Sequence, residues 1–276
     1  MKMRAPFRYW GSKVRMAPWI IERLPEHSHF IEACAGSASI LAVKPPVDAE
    51  TLNDTYGEVT NFFRVLQSPQ LAAELIDRVA FTAYSLDEFR TAGEWLDLGD
   101  SPESQLTPVE RSWAFFVRMQ MAVVPGRSGW SYGVSGPSAK KANKPGRWAT
   151  MPELLQMACQ RFERVQVTDW DILDLIGRMD KPGVLIFVDP PYTEASRANS
   201  TGASSGYEKD SFDHASFLDA VKNAEHAQFA ITHYPDPLYD EQGFTVLGDY
   251  SSHRNIPNGE GRDVKVERLY LAGGRP

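Results

Sequence analysis

The chain has 276 residues, 42% hydrophobic and 24% charged, which is enough for one substantial α/β core with an inserted subdomain. No apolar run is long enough to cross a bilayer and no charged-then-apolar leader opens the chain; two cysteines, Cys34 and Cys159, and scattered histidines give neither a disulfide framework nor a zinc site, so a metal-free protein of a reducing cytoplasm is expected. The net charge of −7 argues, taken whole, against nucleic acid as a partner, but Arg111 to Pro152 holds seven bases and no acid, leaving −14 on the rest.

In chain order, "FRYWGSKVRMAPWIIERLP" sets an aromatic pair, a Gly-Ser turn and a lysine before a helix. Lys13 is placed to hold a carboxylate and Tyr9 to pack on a ligand, although the stretch by itself is equally a loop entering a helix. "HFIEACAG" predicts a strand ending at Glu32, and "SILAVKP" the start of the helix after it. Small residues there let backbone approach a ligand at the positive end of a helix. After Gly36 the next glycine is Gly57, so the dinucleotide pattern G-x-G-x-x-G is missing; a small ligand with an amino-acid tail and a ribose fits better. "AETLNDT" predicts a second strand whose terminal Asp54 either accepts from ribose hydroxyls or caps the amphipathic helix "EVTNFFRVLQ".

The alternation of strand and helix then lapses, which places an insertion at residues 67 to 150 within a core of residues 1–66 and 151–276. "SLDEFRTAGEWLDLGDSPESQLTPVE" reads as exposed acidic helix and loop. In the basic stretch after it, Trp113, Phe115, Phe116, Trp130, Tyr132 and Trp148 interleave with cations that include Arg118, Arg127, Lys140 and Lys141. That pattern suits a surface tracking phosphates and contacting bases, or else a solvated basic loop. Short strands resume with "VQVTDWD", "VLIFVDPPY", "QFAITHY", "FTVLGDY" and "VERLYLAG", and a polar loop is expected at residues 193 to 211. Glu32, Asp54, Asp169 or Asp171, and Asp189 each end a strand, at the sheet edge where open α/β folds bind ligands.

"VLIFVDPPYTEAS" ends an apolar strand with an acid, two prolines and a tyrosine. An ordinary Asp-Pro turn is one reading; a rigid clamp is the other. "YWGSK", "FIEACAG", "LND" and "FVDPPY", in that order and with the long insertion before the last, resemble the Dam-like class of DNA adenine-N6 methyltransferases. "AITHYPDPLYDE" and "SSHRNIPNGEGRDVKVERLYL" resemble that family's later motifs. Ala33, Cys34 and Ala38 stand where the family's E-P-F-x-G-x-G has proline, phenylalanine and glycine.

The resemblance implies a Rossmann-like, mostly parallel seven-stranded α/β sheet with an inserted, mainly helical DNA-recognition subdomain. It implies S-adenosylmethionine as methyl donor, no metal, and double-stranded DNA as substrate, with the target adenine flipped out of the duplex. Tyr9, Lys13, Glu32, Gly36, Asp54 and Asp171 match cofactor positions. Asp189 also falls in the cofactor-binding set and, with Pro190 and Tyr192, forms the catalytic motif. Arg127, Trp130 and Tyr132 fall where the family has a DNA-contacting hairpin. A monomer or weak dimer, remote from membranes, in a bacterial or bacteriophage-infected cell is expected. A cytosine-N4 methyltransferase and a non-catalytic relic of the fold are the competing readings. A dehydrogenase is disfavoured by the missing glycine pattern.

Overall fold

The computed structural model describes residues 3–98, 105–127, 129–133, 143–193, 212–255 and 262–274; Lys140, Lys141 and residues 194–211 of the expected polar loop lie outside them. Seven strands, β1 (His29–Ala33), β2 (Ala49–Asn53), β3 (Gln166–Thr168), β4 (Val184–Val188), β5 (Gln228–His233), β6 (Thr245–Asn255) and β7 (Arg262–Gly273), form a sheet in the order β3-β2-β1-β4-β5-β7-β6. β1 runs parallel to β2 and β4, and β4 parallel to β5, while β7 is antiparallel to both β5 and β6. The mostly parallel α/β sheet expected from the alternating pattern is thus present. All five side chains of β4 are buried, as a strand covered on both faces requires.

The helices are α1 (Ala17–Ile21), α2 (Gly57–Gln67), α3 (Pro69–Phe81), α4 (Leu86–Leu98), α5 (Pro108–Met121), α6 (Lys144–Trp148), α7 (Met151–Phe162), α8 (Ile172–Met179), α9 (His214–Asn223) and α10 (Pro237–Asp240). The chain divides into two compact units. The first comprises Met1–Val14, Gly36–Val43 and Asp54–Asp169, the second Arg15–Ala35, Lys44–Asn53 and Trp170–Pro276. In the second unit Ile31, Ile186, Val188, Phe217, Phe229, Ile231 and Tyr239 pack as one apolar core.

The first unit is centred on aromatic rings. Phe7 meets Phe62 and Phe115 edge-on, each at 5.0 Å between centroids, and Phe62 stacks on Phe116 at 5.7 Å. These arrangements suit the ring quadrupoles as well as burying area. The helix supplying Phe115 and Phe116 is well started: Thr107 accepts from the Glu110 N–H, Glu110 accepts from the Thr107 N–H, and Pro108 occupies the first turn.

Two expectations need correction. "SILAVKP" does not begin an α-helix but a run of turns, with one helical bond from Ala42 to Ala38 and a tighter one from Val43 to Ile40. Left-handed backbone at Gly36 and Ala38 and the donor-free Pro45-Pro46 pair leave too few residues to propagate a helix. The aromatic residues of the basic stretch are not one base-contacting surface either. Trp113, Phe115, Phe116 and Trp148 are buried, Trp130 is half-buried and Tyr132 exposed.

Arg111, read from sequence as part of the basic surface, is instead paired with the buried carboxylate of Glu58: its Nε and Nη2 donate to Glu58 Oε1 at 3.0 and 2.5 Å. Removing one member of a buried pair strands the other charge. Arg111→Ala is therefore expected to cost about 3 kcal/mol in denaturant unfolding, whereas replacing Arg111 and Glu58 together with leucine recovers most of that loss.

Candidate active site

The loop after β1 carries three residues in left-handed backbone, Cys34, Gly36 and Ala38, with φ of 55°, 49° and 50°. Gly36 is needed twice over. Its φ favours glycine, and a Cβ there would lie 2.5 Å from Cδ1 of Tyr9, so the Tyr9 ring can close on the turn only over a bare backbone. Ala38 carries its methyl at a backbone strain of roughly 1–2 kcal/mol, at the position where the family pattern has glycine.

Asp54, directly after β2, braces this loop. Its Oδ2 accepts from the Gly36 N–H at 2.7 Å and its Oδ1 from the Tyr56 N–H at 2.8 Å. Burial pushes its carboxyl above the usual range, while the two N–H groups pull the other way. Asp54 is not the N-cap of α2, a position held by Tyr56, and its side chain is spent first on the loop. Lys13 is buried as well: its Nζ donates to the Gly11 carbonyl at 2.9 Å and its N–H to the Ser39 hydroxyl at 3.2 Å. The Ser12 and Ser37 hydroxyls share a bond of 2.9 Å.

The first unit thus brings Tyr9, Lys13, Gly36 and Asp54 together. An ammonium, a carboxylate and an aromatic ring around a glycine turn complement a ligand bearing a carboxylate, hydroxyls and a flat base. Glu32 and Asp171 belong to the second unit: Glu32 is buried in β1, and Asp171 is exposed and caps α8 by accepting from the Leu173 N–H at 2.8 Å.

Also in the second unit, Asp189 follows β4. The β4–β5 register sets Val188 beside Ile231, so the next residues on each strand adjoin, and the Thr232 hydroxyl donates to Asp189 Oδ1 at 2.9 Å. Pro190 is buried. The Tyr192 hydroxyl donates to Glu267 Oε2 at 3.0 Å, and its ring lies against Tyr234 and His233 at 4.4 and 4.9 Å between centroids. Burial first, then the Asp189 and Glu267 carboxylates, push this phenol well above its ordinary pKa, so it stays a neutral donor.

Thr193 completes the elbow, its hydroxyl donating to Asp236 Oδ2 at 2.6 Å and its N–H to His233 Nε2 at 3.3 Å. That N–H requires an unprotonated Nε2, so Nδ1 carries the proton and donates to the Tyr234 carbonyl at 2.8 Å. The His233 ring is also stacked on Tyr239 at 4.2 Å. Asp189 therefore projects a carboxylate from a rigid, donor-poor turn whose backbone and side chains are fixed on the side of β5 and β7. A carboxylate and the adjoining carbonyl of such a turn can accept both N–H bonds of one exocyclic amine.

Within the first unit, residues 122–127 and 129–130 belong to a hairpin-like loop. Ala122 bridges Trp130, Val123 donates to the Gly129 carbonyl at 2.7 Å, and Ser131 donates to the Met121 carbonyl at 2.8 Å. Arg8 ties the loop down with bonds to the carbonyls of Gln120, Ala122 and Val123. Arg127 is half-buried and Tyr132 exposed, while Trp130 lies between Tyr84 and Tyr132, 5.9 Å from each. Arg118 is elsewhere, its guanidinium 4.2 Å above the Phe89 ring.

A family model described as the D12 class N6 adenine-specific DNA methyltransferase matches residues 9–244, a span that takes in "YWGSK", the glycine turn, Asp54, the insertion and D-P-P-Y. The chain belongs to that class. It is an adenine-specific DNA methyltransferase that uses S-adenosylmethionine as methyl donor. Comparison with curated proteins finds no match. Among the described residues no cluster of three or more His, Cys, Asp or Glu side chains could hold a metal ion, and no helix is long and apolar enough to cross a membrane.

Sequence reasoning about this methyltransferase missed Thr232, His233, Asp236 and Glu267. The motif "AITHYPDPLYDE" flagged three of them without a role, because their contacts with D-P-P-Y exist only once β4, β5 and β7 are paired.

Two outcomes are expected. Gly36→Ala forces a methyl into the Tyr9 ring and should lower stability by about 1–2 kcal/mol and weaken cofactor binding, read by thermal unfolding and calorimetry. Thr232→Val should lower kcat about tenfold, the cost of losing one hydrogen bond to a charged group, while the cofactor Kd stays unchanged.

Proposed function

We propose that this D12-class enzyme methylates N6 of an adenine flipped out of duplex DNA at a defined sequence, acting as a monomer or weak dimer in the cytoplasm of a bacterial or bacteriophage-infected cell. The observation that carries the reading is the D-P-P-Y turn, where Asp189 is aimed by Thr232 and Tyr192 is fixed by Glu267. The exocyclic amine of adenine is a poor nucleophile because its lone pair is delocalised into the ring. Asp189 and the Pro190 carbonyl each accept one N–H, which localises that pair and directs it. Proline has no N–H to compete for these acceptors and holds the backbone still. Tyr192 presents its ring to the target base.

Tyr9, Lys13, Glu32, Gly36, Asp54 and Asp171 hold the cofactor: Lys13 meets its carboxylate, and the lone pairs that Asp54 retains accept from ribose hydroxyls. When bound, the cofactor supplies an electrophilic methyl on a sulfonium. The residues otherwise work by positioning and electrostatics. Asp189 polarises the amine, and solvent carries the proton away after attack.

Residues 67–150 form the inserted target-recognition region, with residues 1–66 and 151–276 the catalytic domain. Arg127, Trp130 and Tyr132 on the hairpin-like loop contact DNA, together with Arg118, Lys140 and Lys141 of the same basic stretch. Flipping a base costs a few kcal/mol of unstacking, which these contacts offset.

The deciding experiment is transfer of labelled methyl from S-adenosylmethionine to mixed-sequence duplex DNA, followed by nucleoside analysis. Wild type is expected to yield N6-methyladenine, and Asp189→Ala to lose at least about a hundredfold in rate with cofactor binding intact. Asp189→Ala retaining wild-type rate would remove Asp189 from the chemistry.

A further inference from the structure

In the first unit, Arg8, Tyr84, Gln120, Lys144, Arg147 and Trp148 line one pocket. Met151 completes the lining, so three of its seven residues are cations, and Arg4 stands close enough to feel the charge of Arg147. Among the described residues no carboxylate forms an ion pair with Arg4, Arg8, Lys144 or Arg147. Like charges brought together and partly desolvated oppose folding. Burial, then Arg147, lowers the pKa of Arg4 and Arg8, and burial, Arg8 and Arg147 lower that of Lys144.

A merely solvated basic face would spread its charges into water. Here Arg8 and Lys144 are half-buried against an aromatic wall whose own polar groups are already engaged. Tyr84 donates to the Ser131 carbonyl, and the Trp148 indole donates to the Thr82 carbonyl at 2.7 Å. Apart from the Gln120 amide, whose nitrogen donates to the Pro6 carbonyl at 3.2 Å, the polar groups left facing the pocket are cationic donors.

Arg8 makes the pocket more than a patch. Its two terminal nitrogens donate to the Gln120, Ala122 and Val123 carbonyls at 3.3, 2.8 and 3.0 Å. Three of five guanidinium N–H groups are thereby committed to the base of the hairpin-like loop, and two remain. One residue therefore joins an anion-seeking pocket to the loop bearing Val123, Trp130 and Tyr132.

We propose that this pocket is a phosphate site that takes a backbone phosphodiester of the DNA substrate, and that Arg8, held at once by the loop and by that phosphate, sets the register of the duplex against the hairpin. The proposal rests on the reading of this chain as a methyltransferase of duplex DNA and adds Arg4, Arg8, Lys144 and Arg147 to its contacts. A phosphodiester is favoured over a free anion because the pocket borders the loop assigned to DNA and Arg147 is exposed at its mouth.

The test uses the full chain, a short duplex and a potassium chloride series, with Arg147→Gln and Lys144→Gln made singly and together. Both side chains are at or near the surface, and thermal unfolding at or above the wild-type temperature, with unchanged cofactor affinity, confirms folding. Each variant is expected to bind duplex about five- to tenfold more weakly, regardless of sequence, with the slope of log K against log salt shallower by about 0.9 for each phosphate no longer neutralised. Unchanged affinity and slope, with wild-type methyl transfer to the same duplex intact, overturns the phosphate site alone. Wild type that neither binds nor methylates the duplex overturns the reading beneath it as well. Inorganic phosphate is the competitor in a second arm: if the variants lose phosphate binding yet keep full DNA affinity, the pocket serves a free anion and the DNA assignment fails.

Discussion

The parallel ladder between β4 and β5 decides where the chemistry of this protein can stand. Five buried side chains fix β4 in the sheet, and the register that sets Val188 beside Ile231 leaves Asp189 next to Thr232. A slip of one residue would turn every side chain of the strand to the opposite face. The same sheet, one strand further on, pairs β5 with β7 and delivers Glu267 to the Tyr192 hydroxyl. The acid and the aromatic ring of D-P-P-Y are thus aimed by the core, and the prolines remove the backbone freedom that would blur the aim.

The glycine turn solves a different problem. Asp54 is more than a strand-end acid waiting for a ligand: both of its oxygens already hold backbone N–H groups, one from the turn and one from the entry to α2. Pre-ordering a loop in this way moves the entropy cost of binding into folding, so a ligand meets a turn already shaped. The left-handed alanine at position 38 shows how firmly the surroundings dictate that shape, since an ordinary residue accepts strain rather than relax it.

The insertion carries two kinds of residue that look alike in sequence. Trp113, Phe115, Phe116 and Trp148 build the core of the first unit, and Arg111 is neutralised by Glu58; Tyr132 and Arg147 are exposed, and Trp130 and Arg127 half-buried. Packing separates them: α5 buries a nearly continuous run because α2, α3 and α4 surround it.

Much was legible in the chain by itself. Strands read from apolar runs, and the ordered motifs "YWGSK", "FIEACAG", "LND" and "FVDPPY", were enough to indicate the α/β sheet and adenine methylation, because these signals are local and carried by residue type. What the sequence could not hold was contact between distant segments. The bracing of Gly36 by Asp54, the aiming of Asp189 by Thr232, the pairing of Arg111 with Glu58 and the convergence of Arg8 with Arg147 join residues 18 to 139 positions apart. Periodicity reports which face of an element is apolar, but only the packed structure decides which polar groups meet, because burial makes an unpaired charge or donor costly and so selects its partner.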